Sequence, residues 1–305
     1  MGATKIEWAE KVWNPVTGCT KISPGCQHCY AERMSKRLAG RFGYPAGNPF
    51  AVTLHPERLD EPLHWRKPSR IFVCSMGDLF HDDVPDRFID QLFWEMGHTH
   101  QRHTFLILTK RPERMRDWLL KAYRENAPYT NVRLGVTAEN QEQADKRIPI
   151  LLEIPATVRF VSIEPMLGPV DLTQIEFDKY TRMNVLEGAG ISLRSQAQSI
   201  PNAFCNKLDQ VICGGETGPG ARPMHPDWAR QDRDQCQAAG VKFFFKQHGE
   251  WVPNDQRWHD HDHLSFTQKH IDLDGVMMCR VGKKTAGRLL DGREWNEIPE
   301  VGRDV

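Results

Sequence analysis

From about residue 70 onward, short apolar, β-branched runs alternate with stretches of helical period, and few folds accept a chain patterned in this way. The strands expected are Ile71–Ser75, Thr104–Leu108, Arg133–Val136, Thr157–Ile163, Leu208–Cys213 and Val241–Phe245. Helices are expected at Asp86–Gly97, Pro112–Lys121, Asn140–Leu152 and Pro226–Ala238. An earlier unit fits residues 11–41, where a strand leads into a cysteine loop and a helix starts near Cys29 with CYAERMSKRLAG. Repeated strand–helix units bury their strands in a parallel sheet. The fold class expected is therefore α/β, a partial parallel (β/α) barrel of six or seven units, TIM-barrel-like, over residues 1–250. Two regions fall outside the pattern. Residues 172–207 read as a polar insertion without a clear period, and residues 251–305 as a C-terminal extension carrying GRLLDGREWNEIP.

Charge narrows the function classes. Lys+Arg and Asp+Glu each number 40, so the formal charge is zero. That balance argues against strong sequence-independent nucleic-acid binding, which needs many phosphate-neutralising cations, though it permits a local basic groove. No run of about 18 apolar residues is present, and MGATKIEWAE lacks the apolar core of a secretory signal. No membrane partner and a cytoplasmic location are expected. In a reducing compartment, eight cysteines serve as metal ligands or buried apolar residues more readily than as disulfides.

Three of the eight crowd into Cys19-Thr-Lys-Ile-Ser-Pro-Gly-Cys26-Gln-His-Cys29. Three thiolates this close can wrap one soft metal centre. A 4Fe–4S cubane held by three cysteines keeps one iron open to a small chelating ligand. Zinc is the rival, and it wants four ligands. Cys74, Cys213 or His28 would have to complete the set, and His28 lies between two ligands.

Each expected strand also runs into polar residues at its C-terminal edge, the edge on which parallel β/α folds build their sites. These are Gly77–Asp78, Lys110–Arg111, Glu139–Asn140, Glu164, Gly214–Gly215–Glu216 and Lys246. Helix capping is the competing explanation for some of them, Thr137 and Asn140 in particular. The run Gly214 to Pro223 contains four glycines and suits a backbone that approaches a phosphate or cofactor, with Glu216 and Arg222 as contacts. Lys110 and Arg111, with Arg114 and Arg116, either meet phosphates or form a solvated helix face. The run Trp258–His259–Asp260–His261–Asp262–His263 reads as surface more readily than as a second metal site.

A three-cysteine loop after the first strand of a partial β/α barrel resembles the radical S-adenosylmethionine superfamily. The stretch WNPVTGCTKISPGCQHCYAERMSKR resembles more closely a phage- and prophage-encoded group at the edge of that superfamily. The runs SMGDLFHDDVP, LTKRPERM, GVTAENQ, FVSIEPMLGP, CGGETGPGARP and FFFKQHGEW resemble it too. The resemblance implies a radical enzyme. Cys19, Cys26 and Cys29 would hold a 4Fe–4S cluster whose open iron chelates S-adenosylmethionine. Gly77, Asp78, Glu139, Asn140, Glu164, Gly214, Gly215 and Glu216 would be placed for the cofactor, and Lys110, Arg111, Arg222 and Lys246 for substrate. A flavodoxin or ferredoxin would supply the electron, and a damaged or modified nucleic-acid base is the first substrate expected. The chain departs from the superfamily's common motif in its first cysteine gap, six residues rather than three, and in His28, which stands where an aromatic is usual. The alternative is a metal-stabilised module that binds nucleic acid or a partner without radical chemistry.

Overall fold

In the computed structural model the described residues are 4, 6–124, 127–192, 199–200, 206–254 and 269–300. The run Trp258 to His263 and Cys205 lie outside them. The chain divides into two compact units. One comprises Met1–Thr137, Arg147–Phe160 and Pro299–Val305, the other Ala138–Lys146 and Val161–Ile298.

The strand–helix alternation is present. In chain order the elements are β1 (Lys11–Trp13), β2 (Val16–Thr17), α1 (Tyr30–Leu38), β3 (Thr53–Leu54), β4 (Ser69–Val73), α2 (Asp86–His98), β5 (His103–Thr109), α3 (Pro112–Ala122), β6 (Val132–Thr137), α4 (Gln141–Glu153) and β7 (Arg159–Ile163). After an insertion come β12 (Gln210–Gly214), α5 (Pro226–Ala239) and β13 (Lys242–Gln247). Seven strands form a parallel sheet in the order β1-β4-β5-β6-β7-β12-β13. The fold is α/β, as expected, and the strands begin and end within two residues of the expected bounds.

Local chemistry explains the helices. α2 turns Phe88, Ile89, Leu92, Phe93 and Met96 inward, one side of a 3.6-residue period. Each such side chain contributes roughly 1.5–3 kcal/mol when fully buried. α3 starts with Pro112, has Glu113 in its first turn and Lys121 in its last, in keeping with the helix dipole. α5 stops on Gly240, whose φ of 68° is the left-handed conformation that closes a helix. All six residues of β6 are buried, the mark of a strand covered on both faces. Gly135 within it has no Cβ, which leaves room for the Phe160 ring (a Cβ there would sit 2.5 Å from it).

The insertion differs from its reading as an unpatterned stretch. Its strands β8 (Ile175–Asp178), β9 (Thr181–Asn184), β10 (Ala189–Ser192) and β11 (Ser199–Ile200) make an antiparallel four-stranded sheet. Strands this short give too few alternations to register as a period, although Ile175 and Met183 are buried while Glu176 is exposed. The extension carries a second small sheet of β14 (Trp251–Pro253), β15 (His270–Leu273) and β16 (Val276–Arg280). Beyond it lies the short α6 (Lys283–Ala286), and Trp295 then packs on Phe243 of β13. Among the described residues no helix is long and apolar enough to cross a membrane.

Candidate metal centre

The cysteine loop lies in the first unit, past adjacent parallel strands β1, β4 and β5. It leaves β2 through Gly18, whose φ is 83° and whose Cβ would fall 2.1 Å from the Ala51 carbonyl oxygen, so that only glycine fits. The Gly18 amide donates to the Met76 carbonyl at 2.9 Å, and the Cys19 amide to that of Phe50 at 3.2 Å. A 3₁₀ turn at Pro24–Cys26 carries the second cysteine. Cys29 is the N-cap of α1 and packs on the cluster of Ala31, Tyr44 and Met76. All three cysteines are free thiols, partly exposed.

Beneath the loop is a polar brace contributed by the segments after β4 and β5. The two oxygens of Asp78 accept from four donors: the Phe80 amide at 3.0 Å, the Thr109 hydroxyl at 2.7 Å, the Lys110 amide at 3.3 Å and Arg111 Nη1 at 3.1 Å. The same Nη1 donates to Cys19 Sγ at 3.3 Å, and Nη2 donates to the Thr20 carbonyl at 3.2 Å and hydroxyl at 2.9 Å. His81 completes the brace. Its Nδ1 accepts from the Asp83 amide, which leaves Nε2–H to donate to the Thr20 hydroxyl at 2.9 Å. A Cβ on Gly77 would lie 2.9 Å from the Gly18 carbonyl, so this glycine lets the two loops touch. Gly77, Asp78 and Arg111 were expected to face cofactor or substrate. In the structure Gly77 lies against the loop at Gly18, Arg111 bonds Cys19 and Thr20, and Asp78 bonds Arg111.

The electrostatics of the thiols diverge. Burial pushes the Cys19 thiol up to about 11, and the Asp78 carboxylate adds to this while Arg111 opposes it. Burial works against the Cys26 thiolate as well. There Lys110, together with hydrogen bonds from the backbone of Ile22 and from Ser23, outweighs it and holds the thiol below its ordinary range. A lowered thiol is the more ready ligand and nucleophile.

Among the described residues, no group of three or more His, Cys, Asp or Glu side chains is gathered tightly enough to hold a single metal ion. A cubane cluster places a different demand on its donors, one thiolate for each of several irons rather than several aimed at one point. The donor set fits that demand: three soft thiols on one loop, none in a disulfide, with a guanidinium already donating to a sulfur.

Arg114 donates to the carbonyls of His81 and Val84 and pairs with Asp86, while Arg116 pairs with Asp117 and Glu153. Both are tied to protein groups. Thr20, His81 and Thr109 lie within the runs quoted above, without a role of their own there. Each is a lone polar residue in a loop, with no spacing to single it out.

The second unit gathers the remaining candidates. Glu164 Oε1 accepts from Lys246 Nζ at 2.6 Å, and both side chains keep some exposure, 18 and 17%. Glu216 holds Arg222 through the Arg222 amide at 2.8 Å, Nε at 2.9 Å and Nη2 at 2.6 Å. Two residues expected to contact cofactor and substrate separately are thus bound to each other. Asn140 caps α4, its Oδ1 accepting from the Gln143 amide at 3.1 Å, in line with the capping alternative. Glu139 is buried, and its carbonyl accepts from the Leu167 amide at 2.7 Å. A Cβ on Gly215 would meet the His248 carbonyl at 2.0 Å, whereas one on Gly214 would have ordinary room. The close approach that Gly215 permits is therefore to the chain's own backbone.

A family model described as "Protein of unknown function (DUF5131)" matches residues 3–299, and the chain belongs to that family. No curated protein and no solved structure matches it.

Proposed function

Proceeding from membership of this family, we propose that the chain is a radical S-adenosylmethionine-type iron–sulfur enzyme on a partial (β/α) barrel. The observation that carries the reading is the set of three free thiols on one braced loop, beyond the ends of adjacent parallel strands. Cys19, Cys26 and Cys29 would hold a 4Fe–4S cluster, with one iron left for the amino and carboxylate groups of S-adenosylmethionine. When bound and reduced by a flavodoxin- or ferredoxin-class protein, the cluster supplies one electron that cleaves S-adenosylmethionine to methionine and a 5′-deoxyadenosyl radical.

The chain's own residues set the conditions for this. Arg111 donates to Cys19 Sγ, and such hydrogen bonds to ligand sulfurs tune a cluster's potential. Asp78 fixes Arg111 by accepting a hydrogen bond from its Nη1. Lys110 favours the Cys26 thiolate, the form that binds iron. In the second unit, the Glu164–Lys246 pair keeps enough exposure to exchange a partner for a ligand. The test is release of 5′-deoxyadenosine by anaerobically reconstituted, dithionite-reduced protein. Release from the wild type and none from Cys26→Ala would support the reading. A stoichiometric zinc content with no release would favour a metal-stabilised binding module instead.

A further inference from the structure

The stretch between Cys19 and His55 contains five basic residues, Lys21, Arg33, Lys36, Arg37 and Arg41, and one acid, Glu32. In a chain of zero formal charge this is a local concentration. Glu32 is held from both sides, by Lys21 at 2.9 Å and Lys36 at 3.1 Å. α1 turns Ala31 and Ser35 inward. Positions 30, 33 and 37 then share another side, since i, i+3 and i+7 fall on one stripe of a helix. Tyr30 on that stripe is 55% exposed, and the Arg33 guanidinium lies 6.0 Å from its ring centroid. Arg37 and Arg41 are exposed.

In the turn after α1 stands Phe42, 73% exposed at a φ of 51°. A bulky side chain in the left-handed region is uncommon and persists only where its surroundings impose it. Here the buried Arg58 imposes it. Its Nη2 donates to the Phe42 carbonyl at 2.5 Å and its Nη1 to that of Asn14 at 3.0 Å. Gly40 and Gly43 flank the turn at φ 69° and 79°. A Cβ on Gly43 would sit 2.6 Å from the His55 ring, so the turn lies close against the protein body. A turn bonded to the buried Arg58 thus presents an aromatic ring to water, with Tyr30 at the N-terminal end of the helix and arginines between.

We propose that this face, running from Tyr30 along α1 to Phe42, binds single-stranded nucleic acid. Exposed rings interleaved with cations suit bases that stack and phosphates that pair. An anionic membrane surface is the other polyanion with apolar character. It calls for a helix that turns its apolar side outward, whereas the apolar side of α1, Met34 and Leu38, packs on Tyr44 and Met76. The assignment stands on this face alone and does not require a cluster. Because α1 springs from Cys29, a strand lying here would run beside the cysteine loop.

The experiment is fluorescence anisotropy of the full-length protein with labelled oligothymidylate, oligouridylate and duplex DNA, alongside sedimentation with phosphatidylserine vesicles. Binding to the single strands is expected, falling with salt at a log–log slope of about −2, for about three phosphate contacts at roughly −0.7 each. Arg37→Ala with Arg41→Ala should lower that slope by about 1.4. Phe42→Ala or Tyr30→Ala should weaken binding on the order of tenfold without changing the slope, the mark of a lost stack. Melting by circular dichroism would show that these surface variants remain folded. A preference for either thymidylate or uridylate supports the proposal and identifies the strand. Absence of single-strand binding at low salt, unchanged binding by the Phe42 and Tyr30 variants, or preferential capture by vesicles would each overturn it.

Discussion

Arg111 Nη1 donates to the Sγ of Cys19 at 3.3 Å, although 92 residues separate the two in the chain. The contact joins the segment after β5 to the cysteine loop, and the guanidinium also bonds Thr20 and Asp78. Arg111→Gln keeps a donor but loses the fork and its charge, and Arg111→Lys loses the planar geometry that bonds several partners at once. Supporting partners of this kind typically alter metal affinity by about 10–100-fold. Iron retained after a chelator challenge is expected to drop by that order in both variants. Retention equal to wild type would remove Arg111 from the account.

Asp78 is the reason Arg111 can stay buried. Asp78→Ala strips a nearly buried guanidinium of its carboxylate partner. Breaking a buried pair from one side costs about 3–5 kcal/mol. The urea midpoint should fall accordingly, and the double variant Asp78→Ala with Arg111→Met should recover part of the loss. A midpoint unchanged in Asp78→Ala would show that the pair contributes nothing to the fold.

Much of this architecture could be read from residue pattern. The βα alternation from residue 70 onward is a matter of local period, and the three cysteines announce themselves by spacing. The tasks of the strand-end polar residues could not be read in the same way. Asp78 and Arg111 carry the right chemistry for a ligand, but only tertiary contact shows that they bond each other and that Arg111 reaches Cys19. Glu216 and Arg222 were legible as a charged loop, yet not as mutual partners. The antiparallel sheet built from β8 to β11 leaves no period in the sequence, because its strands are two to four residues long and half-polar.

Gly215 offers a test of close backbone packing. Gly215→Ala would drive a methyl to 2.0 Å from the His248 carbonyl oxygen, where no flexible side chain can yield. Overpacking of this kind costs about 1–3 kcal/mol. Gly47→Ala, with nothing within 4 Å, is the control and should be near neutral. Chemical denaturation of the two variants separates a steric requirement from a mere preference for a flexible loop.

Asp232 gives the fold a pH dependence. It is fully buried on α5, neither oxygen has a hydrogen-bond partner among the described residues, and burial, with the nearby Asp171 charge, raises its carboxyl well above the ordinary range. A raised folded value means that the native state holds a proton which the unfolded chain releases from about pH 4 upward. Stability is therefore lost as pH rises through the interval between the two values. Asp232→Asn should stabilise the protein more at pH 7.5 than at pH 5, as measured by denaturant midpoints. An equal gain at both would mean that the carboxyl titrates normally.

The most direct measurement of the central claim is electron paramagnetic resonance of the anaerobically reconstituted, reduced protein with and without S-adenosylmethionine. The account expects a 4Fe–4S signal that changes when S-adenosylmethionine is added and disappears in Cys26→Ala. A cluster signal indifferent to S-adenosylmethionine, or no cluster on a loop loaded with zinc, would contradict it.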